Sequence, residues 1–313
     1  MDPGNKRVIL AALFANLGIA VAKFIGWALT GASSMLAEGV HSVADTTNQV
    51  LLLWGHAAAR RAPSPSHTFG YGRERYFWAF VVSMVIFSLG SLFAIYKGVE
   101  KLRHPQDLTD PLWALCILAL GLLLEGWSFR TAVVEARPHK GVRSWWAFIR
   151  TTKNPELPVV LLEDLGALIG LTLAMLGVGL SMISGDPRFD AVGSISIGLL
   201  LGAIAILLAH EMKSLLIGES ASPEHVELIR EAALSHPCVR RVIHLRTQHL
   251  AADELLVGAK LEFDSDLDFN ALSDAIDEVE QEIRRRLRFR AVVYIEPDVY
   301  DPAEAAPPSS DPH

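Results

Sequence analysis

Six stretches of the chain are apolar over the roughly 20 residues that a membrane-spanning helix needs. Charged side chains are rare within these stretches and gather in the short segments between them. We therefore predict a membrane all-α bundle of six transmembrane helices in residues 1–218. The predicted spans are Val8 to Leu29, Ser34 to Trp54, Phe77 to Tyr96, Leu112 to Phe129, Pro158 to Ile183 and Val192 to Ile217.

The pattern changes at residues 219–300, where it becomes typical of a small water-soluble domain. A helix from Ser222 to about His236 is followed by two strand-like runs, Val239 to Gln248 and Leu255 to Phe263, in which apolar and polar residues alternate. A second helix, with apolar residues at three- and four-residue steps, and a last strand complete the order. This order predicts a compact cytosolic α+β domain.

The remaining segment, residues 301–313, carries four prolines and lacks core-forming residues. Such a composition predicts a disordered tail.

An even number of spans places both termini on one side of the membrane. The loops on that side carry more Lys and Arg than the opposite loops do, so the positive-inside rule predicts cytoplasmic termini, or matrix termini in an organelle. The basic residues on the terminal side are Arg60, Arg61, Arg73, Arg75, Arg137, Lys140, Arg143, Arg150 and Lys153. The first apolar run lacks a cleavage pattern and is interpreted as a retained helix. No transit peptide is evident, which favours a bacterial inner membrane.

Composition narrows the function. Hydrophobic residues make up 51% of the chain and charged residues 20%, an apolar bias that favours a membrane protein over a soluble enzyme. The net charge of −7 argues against a nucleic-acid partner, which requires a basic face. Two cysteines, Cys116 and Cys238, lie far apart in the sequence, so a disulfide framework or a CxxC zinc site is not predicted.

Ionisable residues inside two of the predicted spans are the candidates for a functional site. Span two contains Glu38, His41 and Asp45 at three- and four-residue steps, which places them on one helical face. Span five contains Glu163 and Asp164. Each ionised group costs about 2.5 to 3.5 kcal/mol at the bilayer centre. A bound dication or protons would offset this cost.

The pair His41 and Asp45 has the i, i+4 spacing by which one helix offers two ligands to one ion, and Asp164 can supply a third. Zinc accepts such a mixed nitrogen and oxygen set. The alternative is that His41 and Asp45 only pair with each other while Asp164 caps a loop. We favour the metal site, because four carboxylates and one imidazole occur together in two apolar helices.

Sequence motifs strengthen this interpretation. The run SSMLAEGVHSVAD from Ser33 to Asp45 and the run HTFGYGRE from His67 to Glu74 resemble the cation diffusion facilitator family. Within it, AEGVHSVADTTNQ, HPQ at His104 to Gln106 and VLLED at Val160 to Asp164 are most similar to the branch of the mitochondrial zinc exporter. The resemblance implies a homodimeric metal/proton antiporter with a ferredoxin-like cytosolic domain.

The chain departs from the family pattern at one ligand position. Zinc members carry a second HxxxD in span five, whereas here Val160 stands at the histidine position and Asp164 at the acid position. We predict that Glu163 completes the site, with water or Glu38 as alternatives. A carboxylate-rich set also relaxes selectivity towards manganese, iron or cobalt.

Further family sites are weakened. Tyr71 replaces a loop histidine, so His67 is interpreted as structural, and Tyr294 replaces a histidine in the last strand. His244 and His249 are candidate ligands of a regulatory ion, although their spacing in a strand places them on opposite faces. In the membrane domain, Glu125 is expected to pair with Lys23 and Asp190 to cap the start of span six. All of these residues are secondary to the site in spans two and five.

The sequence thus predicts proton-coupled efflux of a divalent metal, most strongly zinc, by alternating access. Metal would bind neutral His41 and ionised carboxylates, and protons would then displace it. The alternatives are a manganese, iron or cobalt carrier, a non-transporting metal sensor or scaffold, and an intramembrane aspartyl protease using Asp45 and Asp164. The protease lacks a GxGD motif at either aspartate. No enzyme activity is expected.

Overall fold

The computed structural model describes residues 3–105, 110–287 and 289–300. The predicted tail, residues 301–313, and Gln106 of the HPQ motif lie outside the described residues. The chain forms two compact units, one made of the helices up to Arg61 and from Glu74 to Lys213, the other made of Ala62–Arg73 and the residues from Ser214 onwards. The short segment Ala62–Arg73 was not assigned to the second unit from the sequence.

The first unit is helical. A short helix that the sequence did not predict, α6, begins after Ser144, whose side chain accepts a hydrogen bond from the Ala147 amide at 3.1 Å and so caps it. A π-helical segment, Ile86–Ser91, joins α3 to α4 without a break. The helices are α1 Pro3–Thr30, α2 Ser33–Ala59, α3 Glu74–Val85, α4 Leu92–Arg103, α5 Pro111–Lys140, α6 Trp145–Thr151, α7 Glu156–Ser184 and α8 Arg188–Ile217.

Four continuous helical stretches are long and apolar enough to cross a membrane: Glu74–Arg103, Pro111–Lys140, Glu156–Ser184 and Arg188–Ile217. In α1 the apolar helix found in the searched residues, Leu17–Thr30, is shorter. Helix α2, which carries Glu38, His41 and Asp45, is not among the four. The protein is therefore an integral membrane protein with four clear apolar helices, and its six spans stay a prediction.

Large apolar side chains point away from the interior of this unit. Leu123 is 73% exposed, Trp127 78% and Ile206 66%, although all three lie in helices of membrane-spanning length. A water-soluble bundle would bury such residues. Their exposure is what lipid-facing positions require.

Asp190 has a different role from the predicted cap. It is the third residue of α8 and is fully buried, and its Oδ2 lies 2.9 Å from the Lys101 ammonium of α4. Its Oδ1 accepts hydrogen bonds from the hydroxyl and the amide of Ser34 at the start of α2. We call Ser34, Lys101 and Asp190 the α8 clasp, because they join three helices. The prediction of a simple cap was wrong, since Asp190 lies within the first turn of α8 and its carboxylate bonds Ser34 of α2 and Lys101 of α4.

The second unit contains a three-stranded sheet in the order β1-β2-β3 and two helices. Strands β1 and β2 form an antiparallel pair, whereas β2 and β3 are parallel and are connected through α10. Ser222 and Asp268 cap the two helices by accepting bonds from backbone amides. The elements are α9 Pro223–Leu234, β1 Val239–Ala251, β2 Glu254–Phe263, α10 Phe269–Arg286 and β3 Arg290–Pro297.

One face of this sheet forms the core of the unit. In β2 every second residue is buried, which confirms the predicted alternation. The core is completed by apolar residues of both helices, and it includes Ile229, Ala232, Leu255, Val257, Leu261, Val279, Ile283 and Val293. The order of elements agrees with the predicted α+β arrangement.

The segment Ala62–Arg73 packs against β1 within this unit. A Cβ atom on Gly72 would lie 2.5 Å from the Ala251 Cβ and 2.9 Å from the Leu250 carbonyl oxygen, so only glycine fits there. Arg73 donates a hydrogen bond to the His249 carbonyl at 3.5 Å. The loop is thereby fixed to the cytosolic sheet.

Candidate metal centre

The centre of α2 presents three buried ionisable side chains to the bundle. Glu38 is 0% exposed, His41 1% and Asp45 7%, and their spacing places them on one face of the helix. The His41 Nδ1 and the Asp45 Oδ1 lie 3.4 Å apart. This contact does not qualify as a hydrogen bond, because both atoms are without a hydrogen-bond partner in the described part of the chain.

Helix α7 brings Glu163 to this face. The Glu163 and Asp45 carboxyl groups are hydrogen-bonding neighbours, and Glu163 Oε1 accepts a bond of 3.1 Å from the Asn48 amide. Glu163 is 6% exposed.

Several polar atoms of this cluster are buried without a hydrogen-bond partner among the described residues. They are both ring nitrogens of His41, Asp45 Oδ1, Glu38 Oε1 and Asn48 Oδ1. Nearly all buried polar atoms in proteins are satisfied, and leaving one unsatisfied costs about 1–3 kcal/mol. The cluster therefore has donor atoms available for a ligand, and imidazole nitrogen with carboxylate oxygen is a set that zinc accepts.

Asp164 faces another direction. Its Oδ2 accepts a hydrogen bond of 3.0 Å from the Ser128 hydroxyl on α5. Of the four predicted ligands, the structure thus places His41 and Asp45 side by side on α2 and Glu163 against the same helix through Asn48. Within the described ranges, no three His, Cys, Asp or Glu side chains are arranged closely enough to hold an ion. The ligand set accordingly stays a prediction.

A lysine that the sequence analysis paired with Glu125 has another partner. Lys23 of α1 donates to Glu38 Oε2 at 3.1 Å and to the Ser42 hydroxyl at 2.8 Å. In the described contacts no hydrogen bond or ion pair joins Lys23 to Glu125, although the two groups interact electrostatically, so the predicted direct pairing is not confirmed. The sequence did hold a signal for a buried ion pair, because Lys23 is the single basic residue within the first predicted span.

The π-helical segment is a second feature that sequence reasoning missed. A Cβ atom on Gly90, within Ile86–Ser91, would lie 4.0 Å from His41 Nδ1. The Ser91 hydroxyl donates to the Gly198 carbonyl of α8 at 2.7 Å. π-Helical turns occur often at functional sites, and this one lies beside the candidate ligand.

The remaining candidate residues are separate from this cluster. His67 and Tyr71 stack with ring centroids 4.5 Å apart, and Tyr71 bonds Ser64, so the loop residues hold one another. His244 is exposed, whereas His249 is 4% exposed. The two strand histidines therefore do not share a surface.

Comparison with known proteins identifies both units. A family model described as the cation efflux transmembrane domain matches residues 9–217, and a second, described as the cytoplasmic domain of cation efflux proteins, matches residues 221–298. Together they cover most of the chain.

Individual relatives agree. The chain is 34% identical over 264 residues to the mitochondrial proton-coupled zinc antiporter SLC30A9 of Homo sapiens, which covers 83% of this chain and 46% of that protein. The Xenopus laevis protein of the same name is also 34% identical, over 263 residues, covering 83% of this chain and 47% of that protein. The zinc transporter ZitB of Escherichia coli is 26% identical over 245 residues, or 78% of this chain and 73% of that protein. The chain spans about half the length of the SLC30A9 proteins.

Proposed function

The chain belongs to the cation efflux, or cation diffusion facilitator, family, and we propose that it exports zinc across a membrane in exchange for protons. The observation that carries the proposal is the buried pair His41 and Asp45, whose ring nitrogens and Oδ1 lack hydrogen-bond partners among the described residues, with the buried Glu163 beside the same helix. The choice of zinc as the transported ion is supported by the relatives that are named as zinc transporters. The protein acts as a carrier and not as an enzyme.

Zinc binding and proton binding compete for the same atoms. The ion requires a neutral imidazole at His41 and ionised carboxylates at Asp45 and Glu163, so its binding releases protons. When the helices rearrange and the site opens to the other side, protons return to these groups and displace the ion. Export of zinc is thereby linked to import of protons without any further coupling device.

Asp164 is the fourth ligand in our proposal. It is released from Ser128 and turns towards the ion when zinc enters, while Asp45 and Glu163 already lie together. Val160, at the family's histidine position, supplies no donor atom. A set with one nitrogen and several oxygens also admits manganese, iron or cobalt, and a flux assay separates these metals from zinc.

We extend the proposal to the architecture. Six spans, a ferredoxin-like cytosolic domain and a homodimer are supported by the match to the cytoplasmic-domain model and by the six long helical stretches of the first unit. The basic residues of the loops support termini on the cytoplasmic side. For the membrane itself we propose the bacterial inner membrane, as the Escherichia coli relative supports. The SLC30A9 relatives are named mitochondrial, and fractionation of the native cells tests the choice.

Flux measurements in proteoliposomes test the function. Wild type is expected to carry zinc faster than manganese, iron or cobalt, and an imposed pH gradient is expected to drive the flux. Asp45→Asn removes a ligand and should lower zinc flux at least about a hundredfold. The matched control is Glu100→Gln, because Glu100 is 46% exposed in an ion pair with Lys97. Absence of zinc flux in wild type, or equal flux in both variants, would contradict the proposal.

The competing functions have distinct outcomes. An aspartyl protease needs two aspartates within hydrogen-bonding distance of each other. Here Asp45 neighbours Glu163, and Asp164 bonds Ser128. A non-transporting sensor would bind zinc in the same reconstituted protein but show no flux, so the proteoliposome assay separates it from a carrier.

A further inference from the structure

Lys23 places an amino group beside the candidate metal centre. Its side chain is 2% exposed, and its ammonium bonds Glu38 at 3.1 Å and Ser42 at 2.8 Å. Glu38 lies one helical turn before His41 on the same face, and Ser42 follows His41 directly. The lysine therefore binds α2 on both sides of a proposed ligand.

The surrounding helices leave space for this ion pair. A Cβ atom on Gly170 of α7 would lie 2.6 Å from Glu38 Oε1, which means that the carboxylate occupies room that only glycine provides. A Cβ on Gly121 of α5 would make an ordinary contact of 3.8 Å with Lys23 Cε. Four helices thus enclose the pair, and the burial excludes water from it.

The charge balance around the site shows what the lysine does. The carboxyl groups of Glu38, Asp45, Glu125, Glu163 and Asp164 lie in or near the site, and Lys23 interacts electrostatically with Glu38, Asp45 and Glu125. The other buried lysine of the described chain, Lys101, is bonded to Asp190 in the α8 clasp. Lys23 is accordingly the amino group that offsets the excess of acids.

We propose that Lys23 is a charge-balancing residue that holds Glu38 out of the zinc coordination shell and keeps zinc affinity low enough for release. The proposal rests on the proposed zinc transport and deepens it. Zinc binds through the four proposed ligands, His41, Asp45, Glu163 and Asp164, while Glu38 stays paired with the lysine. Because like charges repel strongly in a site of low dielectric constant, the ammonium also weakens the hold of the remaining ligands on the ion.

Removing the lysine charge is expected to raise the affinity for zinc and to lower the rate of zinc transport. In Lys23→Met, Glu38 loses its partner and becomes an additional anionic ligand. Zinc should bind this variant at least about tenfold more tightly than wild type, because a nearby like charge has been removed. Competition with a chelating dye measures the affinity of the full-length protein in nanodiscs. Zinc flux in proteoliposomes should fall about tenfold, because the rate of release limits it. Lys23→Arg keeps the charge and should bind zinc within about threefold of wild type.

A second substitution gives the decisive comparison. Glu38→Gln leaves the ammonium without a counter-charge and should weaken zinc binding about tenfold. Lys23→Met/Glu38→Gln removes one charge of each sign and should return affinity to within about threefold of wild type. If Lys23→Met fails to fold, the restoration of affinity from Glu38→Gln to the double variant carries the test by itself.

Lys97→Met is the matched control, because Lys97 pairs with Glu100 at the surface and is 29% exposed. The proposal is overturned if Lys23→Met binds and transports zinc as Lys97→Met does, or if the double variant binds no better than Glu38→Gln. Failure of the underlying function looks different. In that case wild type itself shows no zinc flux, whatever Lys23 does.

Discussion

Replacing Lys101 by methionine removes the charge partner of a carboxylate that has no access to solvent. In the α8 clasp, Asp190 is 0% exposed and the Lys101 side chain is 7% exposed, with 2.9 Å between Nζ and Oδ2. Removing one member of a buried pair leaves an uncompensated charge, which costs about 3–5 kcal/mol. Lys101→Met should therefore destabilise the membrane unit by about this amount.

The opposite substitution has the same physical consequence. Asp190→Asn keeps an oxygen for the two hydrogen bonds from Ser34 but leaves the Lys101 ammonium with the Gly31 carbonyl, 3.3 Å away, and no counter-charge. We expect a loss of stability of the membrane unit comparable to that in Lys101→Met. In Lys101→Met/Asp190→Asn neither charge is buried, so the double variant should lose less stability than either single variant.

Unfolding of the full-length protein in mixed micelles measures this double-mutant cycle. The expected coupling energy is about 3 kcal/mol or more. The control cycle uses Lys97→Met and Glu100→Gln, an exposed pair whose coupling should stay below about 1 kcal/mol. If the two losses at Lys101 and Asp190 simply add, the clasp does not stabilise the bundle in the way its burial implies.

Three further predictions address other parts of the molecule. Ser128→Ala frees Asp164 from a hydrogen bond worth about 1 kcal/mol, so calorimetry should show zinc binding up to about fivefold tighter. Gly72→Val forces a side chain against the Leu250 carbonyl, so unfolding of the cytosolic unit should become easier by about 1–3 kcal/mol, and unchanged thermal stability would contradict the packing. Leu261→Ala opens a cavity in the sheet core and should cost about 2–5 kcal/mol in the same assay.

Local patterns in the sequence were sufficient to predict most of the helices and strands. The alternation in β2 and the apolar runs of α7 and α8 depend only on neighbouring residues, so their prediction did not require knowledge of the fold. The common face of Glu38, His41 and Asp45 follows from the helical period in the same way. The short helix α6 was missed because its seven residues provide too few turns for a periodic signal.

Contacts between helices were harder to predict, because they depend on which faces pack together. The hydrogen bonds of Lys23 to Glu38 and Ser42 were not predicted for this reason, and the role of Asp190 was misassigned. For Glu163 and Asp164 the sequence did hold a usable signal. Successive residues in a helix point about 100° apart, so only one of the two side chains can directly face α2. In the structure that residue is Glu163.

Position 160 connects the departure from the family pattern with the buried lysine. A histidine there would ligate zinc as a neutral group, whereas in our proposal the anionic Glu163 takes over this function. The exchange makes the site more negative by one charge, and an ion held by an additional carboxylate leaves more slowly. Lys23 lies close to His41 in turn, since its amino group bonds both Glu38 and Ser42 on the same helix. In our proposal the two departures from a simple histidine and aspartate site therefore compensate each other, so that a carboxylate-rich centre still releases its ion.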